Sequence, residues 1–446
     1  MDFLLGLCCF LFFSVVASST EIPVSSCPDQ KKNISNLLRS SGIHLPLHHP
    51  QSPCSPAPLP GDLLFSEILR DDVRRVAALS LRIAPSTTAA AANAVTVPLS
   101  PGTAVGVGNY ITQIGLGTPS KTFVVVVDTG SSLPWVQCLP CIACHKQSGP
   151  LFDPSASSTY RQISCSSSSC SDLSSATLNP SSCSRSGSCI YEASYGDGSF
   201  SVGYLSQDKI SLPGTIAHLL IFGCGRFNQG LFGLSAGIVG LSKNSLSLLY
   251  QLAPSLGSSF SYCLPTTAST GYLSLGGQNP AGFAFTPMVK SSLEKSLYFL
   301  ELADIKVAGR SLSVPASAYT DTPTIIDSGT VITRLPEKVY SALSGAVVAA
   351  VGGRRPRAAP YSILDTCFKG TAEGFPAPEV SLLFAGGAVI RLPTRNVLID
   401  LHGETTCLAF AGAKGVAIIG NRLQQTFKVL YDVEGERIGF AAGGCG

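Results

Sequence analysis

The sequence has little charge and no broad basic region. Only 13% of its 446 residues are Asp, Glu, Lys or Arg, and the formal net charge is +3. The basic cluster Arg354–Arg357 lies in a stretch rich in Gly and Pro, as in a solvated loop. Because a nucleic acid surface normally needs a wider basic stripe with interleaved aromatic residues, we expect no nucleic acid partner.

Long apolar runs are also scarce. The segment Phe3–Phe13 is apolar and leads to Ala17-Ser18-Ser19, which is the layout of a secretory signal peptide. We therefore predict a signal peptide at residues 1–19. No Lys or Arg precedes the apolar segment, which leaves a membrane anchor or a plastid transit sequence as alternatives. No later run is long enough to cross a bilayer, so we expect a soluble mature protein without stable membrane insertion.

The six histidines are few and scattered, which argues against a serine or cysteine triad. Gly233–Gly237 formally fits the Gly-x-Ser-x-Gly nucleophile elbow around Ser235. That elbow requires a helix directly after it, whereas Ile238–Leu241 reads as a strand. We interpret the match as a turn of small residues.

What the chain does have is 45% hydrophobic residues with 44 Gly and 30 Pro. This composition is typical of a β-rich protein with many turns, and the length suggests two or three units. Residues 20–96 differ from the rest, with a Pro-rich part, a helix-compatible stretch at Leu63–Arg82 and an Ala-rich linker. We predict a removable pro-segment whose four helical arginines cover an acidic cleft; an ordinary solvated helix is the alternative. These arginines are Arg70, Arg74, Arg75 and Arg82.

Sixteen cysteines are present, and twelve of them lie beyond the predicted pro-segment. An even set in a secreted chain predicts a disulfide framework. Seven cysteines fall within 138–189, so at least one must pair outside that range or stay free. The run Cys138–His145 also fits zinc ligands or covalent haem attachment, but an oxidising compartment favours disulfides. The twelve are Cys138, Cys141, Cys144, Cys165, Cys170, Cys183, Cys189, Cys224, Cys263, Cys367, Cys407 and Cys445.

The most specific pattern is a repeated tetrapeptide with one copy in each half of the chain. Asp128–Ser131 follows the apolar run Phe123–Val127, and Asp327–Thr330 follows Thr324–Ile326. Each copy predicts a buried strand that ends in a turn displaying an acid, with the glycine allowing the sharp turn.

One such turn is common, but two matched copies suggest a shared carboxylate pair. Two carboxylates within hydrogen-bond distance hold a single proton between them, so that one can act as base and the other as acid. The hydroxyls of Thr129, Ser131, Ser328 and Thr330 are placed to orient the two acids, while Gly130 and Gly329 form the turns. The chemistry requires neither a metal nor a cofactor.

With these motifs the chain resembles the pepsin-type aspartic proteases. Ile238–Gly240 and Ile418–Gly420 match the hydrophobic-hydrophobic-Gly element that crosses each Asp loop in that family, and Trp135 matches its aromatic residue. Tyr195 in Tyr195–Ser199 matches the tyrosine of the flap that closes over bound peptide. The resemblance implies an all-β, bilobal fold of the double β-barrel type, with the active-site cleft between an N-terminal lobe (97–290) and a C-terminal lobe (291–446). It also implies Asp128 and Asp327 as the catalytic pair.

Within the family, the cysteine-rich insert 138–189, the segments Ser194–Ser199 and Phe222–Gly225, and Cys445 resemble the plant nepenthesin-like group. Ser132 and Pro134 depart from this group's more usual Asp and Thr, which can alter a substrate-side pocket or strand pairing. Cys367 with Cys407 is a candidate bridge, as is Cys224 or Cys263 with Cys445.

The resemblance implies a secreted, monomeric endopeptidase made as a zymogen, which acts on peptides or proteins at acid pH and binds pepstatin-type inhibitors. The apoplast is the expected location, with vacuole or plastid as alternatives, and Asn33 is the candidate glycosylation site. A binding or inhibitor protein on the same scaffold is the second hypothesis, although such relatives usually lack one acid or the flap tyrosine.

Overall fold

The computed structural model describes residues 42–58, 65–83 and 109–445, except for 197, 214–216, 231 and 402–403. The predicted signal peptide and Asn33 lie outside these residues. In the described part, strands dominate and helices are mostly short, which confirms the all-β, two-lobed fold class. No helix in these ranges is both long enough and apolar enough to span a bilayer.

In its described residues, the first part of the chain contains four α-helices, of which the first is long, and thirteen strands. The helices are α1 Phe65–Ile83, α2 Ser168–Ser171, α3 Leu173–Thr177 and α4 Leu248–Leu256. The strands are β1 Ile43–Leu47, β2 Ile111–Leu116, β3 Lys121–Asp128, β4 Trp135–Gln137, β5 Arg161–Gln162, β6 Ser182–Cys183, β7 Cys189–Ser194, β8 Phe200–Ser211, β9 His218–Gln229, β10 Gly237–Gly240, β11 Ser259–Cys263, β12 Gly271–Leu275 and β13 Ala284–Pro287.

The described residues of the second part of the chain form four α-helices and fifteen strands. The helices are α5 Ser317–Thr320, α6 Glu337–Val351, α7 Thr394–Val397 and α8 Asn421–Gln424. The strands are β14 Phe299–Leu300, β15 Leu302–Val307, β16 Arg310–Ser311, β17 Thr324–Ile326, β18 Thr333–Pro336, β19 Arg357–Ala358, β20 Cys367–Lys369, β21 Val380–Phe384, β22 Val389–Leu392, β23 Leu398–Leu401, β24 Thr405–Leu408, β25 Phe410–Ala413, β26 Ala417–Ile419, β27 Lys428–Asp432 and β28 Arg437–Ala441.

These strands form separate sheets for the two lobes and one sheet that joins them. The nine-stranded sheet of the N-terminal lobe has the order β2-β3-β10-β4-β9-β8-β7-β6, with β5 paired to β8. The C-terminal lobe has a five-stranded sheet, β14-β17-β26-β18-β25, and two four-stranded sheets, β16-β15-β21-β22 and β19-β20-β24-β23. A six-stranded sheet, β1-β12-β11-β27-β28-β13, draws strands from both ends of the chain.

The first strand of that joining sheet comes from the predicted pro-segment. Strand β1 pairs antiparallel with β12 from Ile43↔Leu275 to Leu47↔Gly271. It lies at the edge of the sheet, where its Pro46 costs no hydrogen bond inside the ladder. The sequence reading predicted a pro-segment helix but not this strand.

Helix α1, from the predicted pro-segment, lies against the C-terminal lobe. Leu69, Val76, Leu79 and Ile83 recur at helical spacing and form an apolar stripe. Leu79 and Ile83 are buried with residues of β14, β17 and β26, while Leu69 joins a cluster around β24 and β25. The helix is therefore held against the floor of the cleft by ordinary hydrophobic packing.

Six disulfides join the twelve cysteines that follow the predicted pro-segment. Cys138 pairs with Cys224, which is the bridge that leaves the cysteine-rich insert, and Cys263 pairs with Cys445 near the C-terminus. Of the two partners considered for Cys445, the structure selects Cys263 because β11 lies next to β27. The remaining pairs are Cys141–Cys144, Cys165–Cys183, Cys170–Cys189 and Cys367–Cys407.

Candidate active site

The two repeated tetrapeptides occupy equivalent places in the two lobes. Asp128 ends β3, which runs parallel to β10, and Asp327 follows β17, which runs parallel to β26. A side chain at the end of either neighbouring strand would collide with the adjacent loop. A Cβ on Gly240 would lie 2.5 Å from the Ser131 carbonyl oxygen, and one on Gly420 would lie 2.7 Å from that of Val331. Both glycines are needed for this close crossing.

Backbone and hydroxyl groups join the two loops directly. The Ser328 amide donates to Thr129 Oγ1 at 2.9 Å, and the Thr129 amide donates to Ser328 Oγ at 3.2 Å. These reciprocal bonds cross between the lobes and lie in a buried environment, where a lost partner is costly. They join the two loops that carry the acids, so Thr129 and Ser328 bond to the opposite loop rather than to the carboxylate oxygens.

The carboxylates themselves are 1% exposed and are held by local donors. Asp128 Oδ1 accepts from the Gly130 amide at 3.0 Å, and Asp327 Oδ1 accepts from the Gly329 amide at 3.1 Å. Thr330 Oγ1 donates to Asp327 Oδ2 at 2.6 Å. The corresponding hydroxyl in the first lobe, Ser131 Oγ, is buried and has no hydrogen-bond partner within the described ranges. The two halves of the site are therefore similar but not identical.

A guanidinium from α1 lies between the two carboxylates. Arg75 Nη2 is 2.6 Å from Asp128 Oδ1 and 2.9 Å from Asp327 Oδ1. Arg75 Nε also donates to Asp327 Oδ2 at 2.9 Å. Since one nitrogen atom contacts both acids, a single small group at that point can bond to both carboxylates. The side chain of Arg75 is only 17% exposed, so this contact is shielded from solvent.

The electrostatics of the site follow from this guanidinium. Burial alone raises the pKa of Asp327, but the charge of Arg75, together with hydrogen bonds from Arg75, Thr330 and the Gly329 amide, brings that pKa below its ordinary value. Two adjacent carboxylates without a cation would instead share a proton. Arg75 therefore favours the ionised form of Asp327, and the two carboxylates in turn outweigh burial and raise the pKa of Arg75.

A second arginine, Arg82, anchors the same helix beside the loop of the first acid. Arg82 Nη1 donates to the Gly130 carbonyl at 2.9 Å, and its Nη2 lies 3.1 Å from Glu294 Oε2. By contrast, Arg70 and Arg74 have side chains that are about half exposed and pair with acids of their own helix. Of the four arginines proposed to cover the acidic cleft, only Arg75 and Arg82 contact it.

The predicted flap tyrosine lies against the predicted cleft aromatic residue. Trp135 Nε1 donates to Tyr195 Oη at 2.7 Å, and both rings pack edge-on against Phe232. Trp135 is fully buried, so this bond satisfies its indole N–H. Tyr195 follows β7 and precedes β8, at the tip of a hairpin. The pairing positions the tyrosine beside the cleft.

The other sequence candidates have structural roles. Ser235 Oγ donates to the Phe232 carbonyl, and β10 rather than a helix follows it, so this serine is not a nucleophile elbow. His145 Nε2 is 2.8 Å from the Ser235 carbonyl oxygen. Ser132 Oγ bonds to Ser242 Oγ at 2.7 Å, and Pro134 uses its carbonyl to accept from the Gly223 amide. These two departures thus leave the acids unaffected.

Comparisons with known proteins agree with this geometry. The xylanase inhibitor N-terminal family matches residues 110–277, and the xylanase inhibitor C-terminal family matches residues 297–442. An aspartyl protease family protein of Arabidopsis thaliana is 42% identical over 85% of this chain and 82% of its own length. Aspartyl protease AED1 of the same plant is 36% identical over 97% and 92%.

Further similarities extend to a second plant and to solved structures. Nepenthesin-2, an aspartic proteinase of Nepenthes gracilis, is 36% identical over 76% of this chain and 79% of its own. Basic 7S globulin from soybean has a TM-score of 0.62 at 18% identity, covering 91% of this chain and 97% of its own. That second similarity concerns the fold alone, while the sequence relatives carry the name of a catalytic class.

Proposed function

The chain belongs to the family of plant aspartic proteases, and from that premise we propose that it is a secreted endopeptidase made as a zymogen. In this proposal residues up to about 96 inhibit the enzyme until they are removed, and the mature form hydrolyses peptide bonds at acid pH. The observation that carries the proposal is the position of Arg75 Nη2, which contacts both Asp128 and Asp327.

The chemistry follows from two facing carboxylates that share one proton. In the mature enzyme the ionised acid takes a proton from a water molecule, which attacks the carbonyl carbon of the peptide bond. The protonated acid donates to the carbonyl oxygen and stabilises the developing negative charge. The tetrahedral intermediate then collapses with cleavage of the C–N bond, and the proton taken from the water passes to the leaving amine. The reciprocal bonds of Thr129 and Ser328 support this chemistry by joining the two loops that carry the carboxylates.

Inhibition in the precursor follows from the same geometry. The guanidinium of Arg75 occupies the point that a shared water would need, and it stabilises the doubly ionised state, which lacks the acidic proton. Arg82 and the apolar stripe of α1 keep the helix in the cleft. A peptide substrate cannot reach the acids while α1 is there. Removal of the segment frees the pair for catalysis.

Incubation of the secreted precursor at acid pH tests the proposal. We expect a shortened chain with a new N-terminus near residue 96, accompanied by cleavage of a denatured protein. Asp128→Asn and Asp327→Asn should each abolish that cleavage, whereas Asp321→Asn, an exposed acid six residues before Asp327, should not. Undiminished cleavage by either dyad variant would contradict the proposed mechanism.

The alternative is a binding protein on the same scaffold. The name of the matching family and the fold similarity to basic 7S globulin from soybean motivate it. The intact pair of acids and the Tyr195–Trp135 contact favour the enzyme. Capture of the processed, monomeric chain on an immobilised pepstatin-type inhibitor at acid pH distinguishes the two. A folded chain that neither binds the inhibitor nor cleaves peptides would favour the binding protein.

A further inference from the structure

A second pro-segment residue makes a buried ion pair near the dyad. Asp72 precedes Arg75 by three positions on α1, so both lie on one face of the helix. Asp72 Oδ2 is 2.8 Å from Arg334 Nη2 and accepts from the Ile332 amide at 3.2 Å. Its other oxygen, Oδ1, accepts from the Val331 amide at 2.5 Å. Three donor atoms to this one carboxylate are therefore supplied by a single short loop and the strand that follows it.

All the donors of this site belong to the part of the chain that remains after the proposed removal of the pro-segment. The side chains of Arg334 and Asp72 are 4% and 1% exposed. Burial raises the pKa of Asp72, and the charge of Arg334 and the two amides act in the opposite direction. These donors are what allow a carboxylate to be held here. The rest of the Arg334 guanidinium has one further bond, from Nη1 to the Ile332 carbonyl oxygen at 3.2 Å.

Loss of the pro-segment leaves this group of donors without its anion. A buried cation whose partner is removed is strongly unfavourable unless another acceptor or water replaces it. Among the described residues, Asp72 is the one acid within ion-pair distance of Arg334. Glu337 and Asp365 line the adjacent cavity of about 600 Å³ together with Arg334 but form no ion pair with it. In the processed enzyme this site can therefore bind an acidic group supplied by another molecule.

The position of Arg334 in the fold indicates where that acid would come from. Arg334 follows Asp327 by seven positions, as Trp135 follows Asp128. Both pair with the central crossing strand of their own lobe, Arg334 with Ile418 and Trp135 with Ile238. The two residues are therefore equivalent, and Trp135 borders the cleft through its bond to Tyr195. One lobe places an aromatic residue at this position and the other places a cation.

We propose that Arg334 and the amides of Val331 and Ile332 form a subsite that binds an Asp or Glu side chain of the peptide substrate. In the precursor Asp72 occupies this subsite, and Arg75 occupies the position between the two catalytic acids. Three residues of helix span about 4.5 Å and two residues of extended peptide about 6.6 Å. The acidic residue of the substrate therefore lies within about two positions of the scissile bond. This inference rests on the proposed endopeptidase function.

The expected selectivity is large because the subsite is buried and charged. Hydrogen bonds to a charged group contribute about 1.5–3 kcal/mol, so an acid is preferred over its neutral amide by about 10- to 100-fold in kcat/KM. A substrate amide would leave the guanidinium without its counter-charge. The preference should appear at one substrate position and not along the whole peptide.

Matched peptides assayed with the processed wild-type enzyme test the inference without any mutation. Each pair differs only by Glu against Gln or Asp against Asn, and the pair is moved through four positions on either side of the scissile bond. At pH 5 the peptide carboxyls are mostly ionised. A preference of about 10-fold or more at a single position within two residues of the bond is the expected result. Equal rates for every acid and amide pair would overturn the subsite.

Variants then assign the preference to Arg334. Arg334→Gln should lower the ratio of acid to amide cleavage to about 1, and Arg334→Lys should retain part of it. The matched control is Lys414→Gln, which removes an exposed positive charge at the same cavity and should leave the ratio unchanged. A preference that persists in Arg334→Gln would refute the assignment. Failure to cleave any peptide would instead count against the proposed function itself.

Discussion

The substitution Arg75→Ala in the full-length chain tests the proposed inhibitory contact directly. It removes one cation and its hydrogen bonds to both acids while leaving the apolar stripe of α1 in place. Breaking a buried ion pair by deleting one partner costs about 3–5 kcal/mol. Since every 1.4 kcal/mol is tenfold, docking of the pro-segment should weaken by about 150- to 5,000-fold.

Docking should be weakened but not abolished, because hydrophobic packing remains. Leu69, Leu79 and Ile83 are each at most 5% exposed. A fully buried side chain of this kind stabilises by about 1.5–3 kcal/mol. The Arg75→Ala precursor should therefore still fold with α1 in the cleft for part of the time. Its active site should open often enough for short peptides to be cleaved before the chain is processed.

The assay is cleavage of a fluorogenic peptide by freshly purified precursor at pH 6, over minutes, with gel analysis to show that the chain is still intact. Arg74→Ala is the matched control, since the side chain of Arg74 is 47% exposed and, among the residues described, forms its ion pair with Asp71 of its own helix. Such a surface pair contributes at most about 1 kcal/mol. Equal latency of the Arg75→Ala and Arg74→Ala precursors would refute the argument that Arg75 blocks the dyad.

Three further outcomes are expected. In the docked state the pKa values of Asp327 and Glu294 are lowered, so their ionised forms stabilise docking of α1 at pH 6, and this stabilisation is lost as the pH falls below about 4. The pKa of Asp72 is raised, so this residue contributes in the opposite direction. Protease protection of α1 should therefore be weaker at pH 3 than at pH 6, and equal protection would contradict this. Tyr195→Phe removes the acceptor of a buried indole N–H and should lower the kcat/KM of the processed enzyme about 10-fold, with an unchanged value as the contrary result. Thr129→Val leaves a buried amide without its acceptor and should lower the free energy of unfolding by about 1–3 kcal/mol in denaturant titrations, whereas Thr129→Ser should stay near wild type.

Local sequence signals were sufficient to predict much of the fold and the candidate pair of acids. The β-branched runs before Asp128 and Asp327 predict buried strands, and the small polar residues after them predict turns. Both predictions rest on neighbours in the chain, so they need no knowledge of the tertiary structure. The same holds for α1, whose observed range Phe65–Ile83 is close to the expected Leu63–Arg82.

The spacing of charged residues in the sequence also carries information about the cleft. Arg75 and Arg82 are seven positions apart, on the same face of α1 as Asp72, whereas Arg70 and Arg74 lie off that face. Helical periodicity could therefore have separated the two arginines in the cleft from the two on the surface. The equal spacing of Trp135 and Arg334 from their acids was likewise available as a signal.

The chemical groups of the site can be read from the amino-acid sequence alone: one acid in each half, the hydroxyls beside them, and an even set of cysteines. Their partners depend on how the two lobes pack. Arg75 lies 252 residues from Asp327 in sequence, Thr129 lies 199 from Ser328, and Cys263 lies 182 from Cys445. This packing also decides that Thr330 bonds to its acid while Ser131 does not. The physical reason is that local propensity sets strands and turns, whereas contacts between distant residues depend on how the packed lobes bring them together.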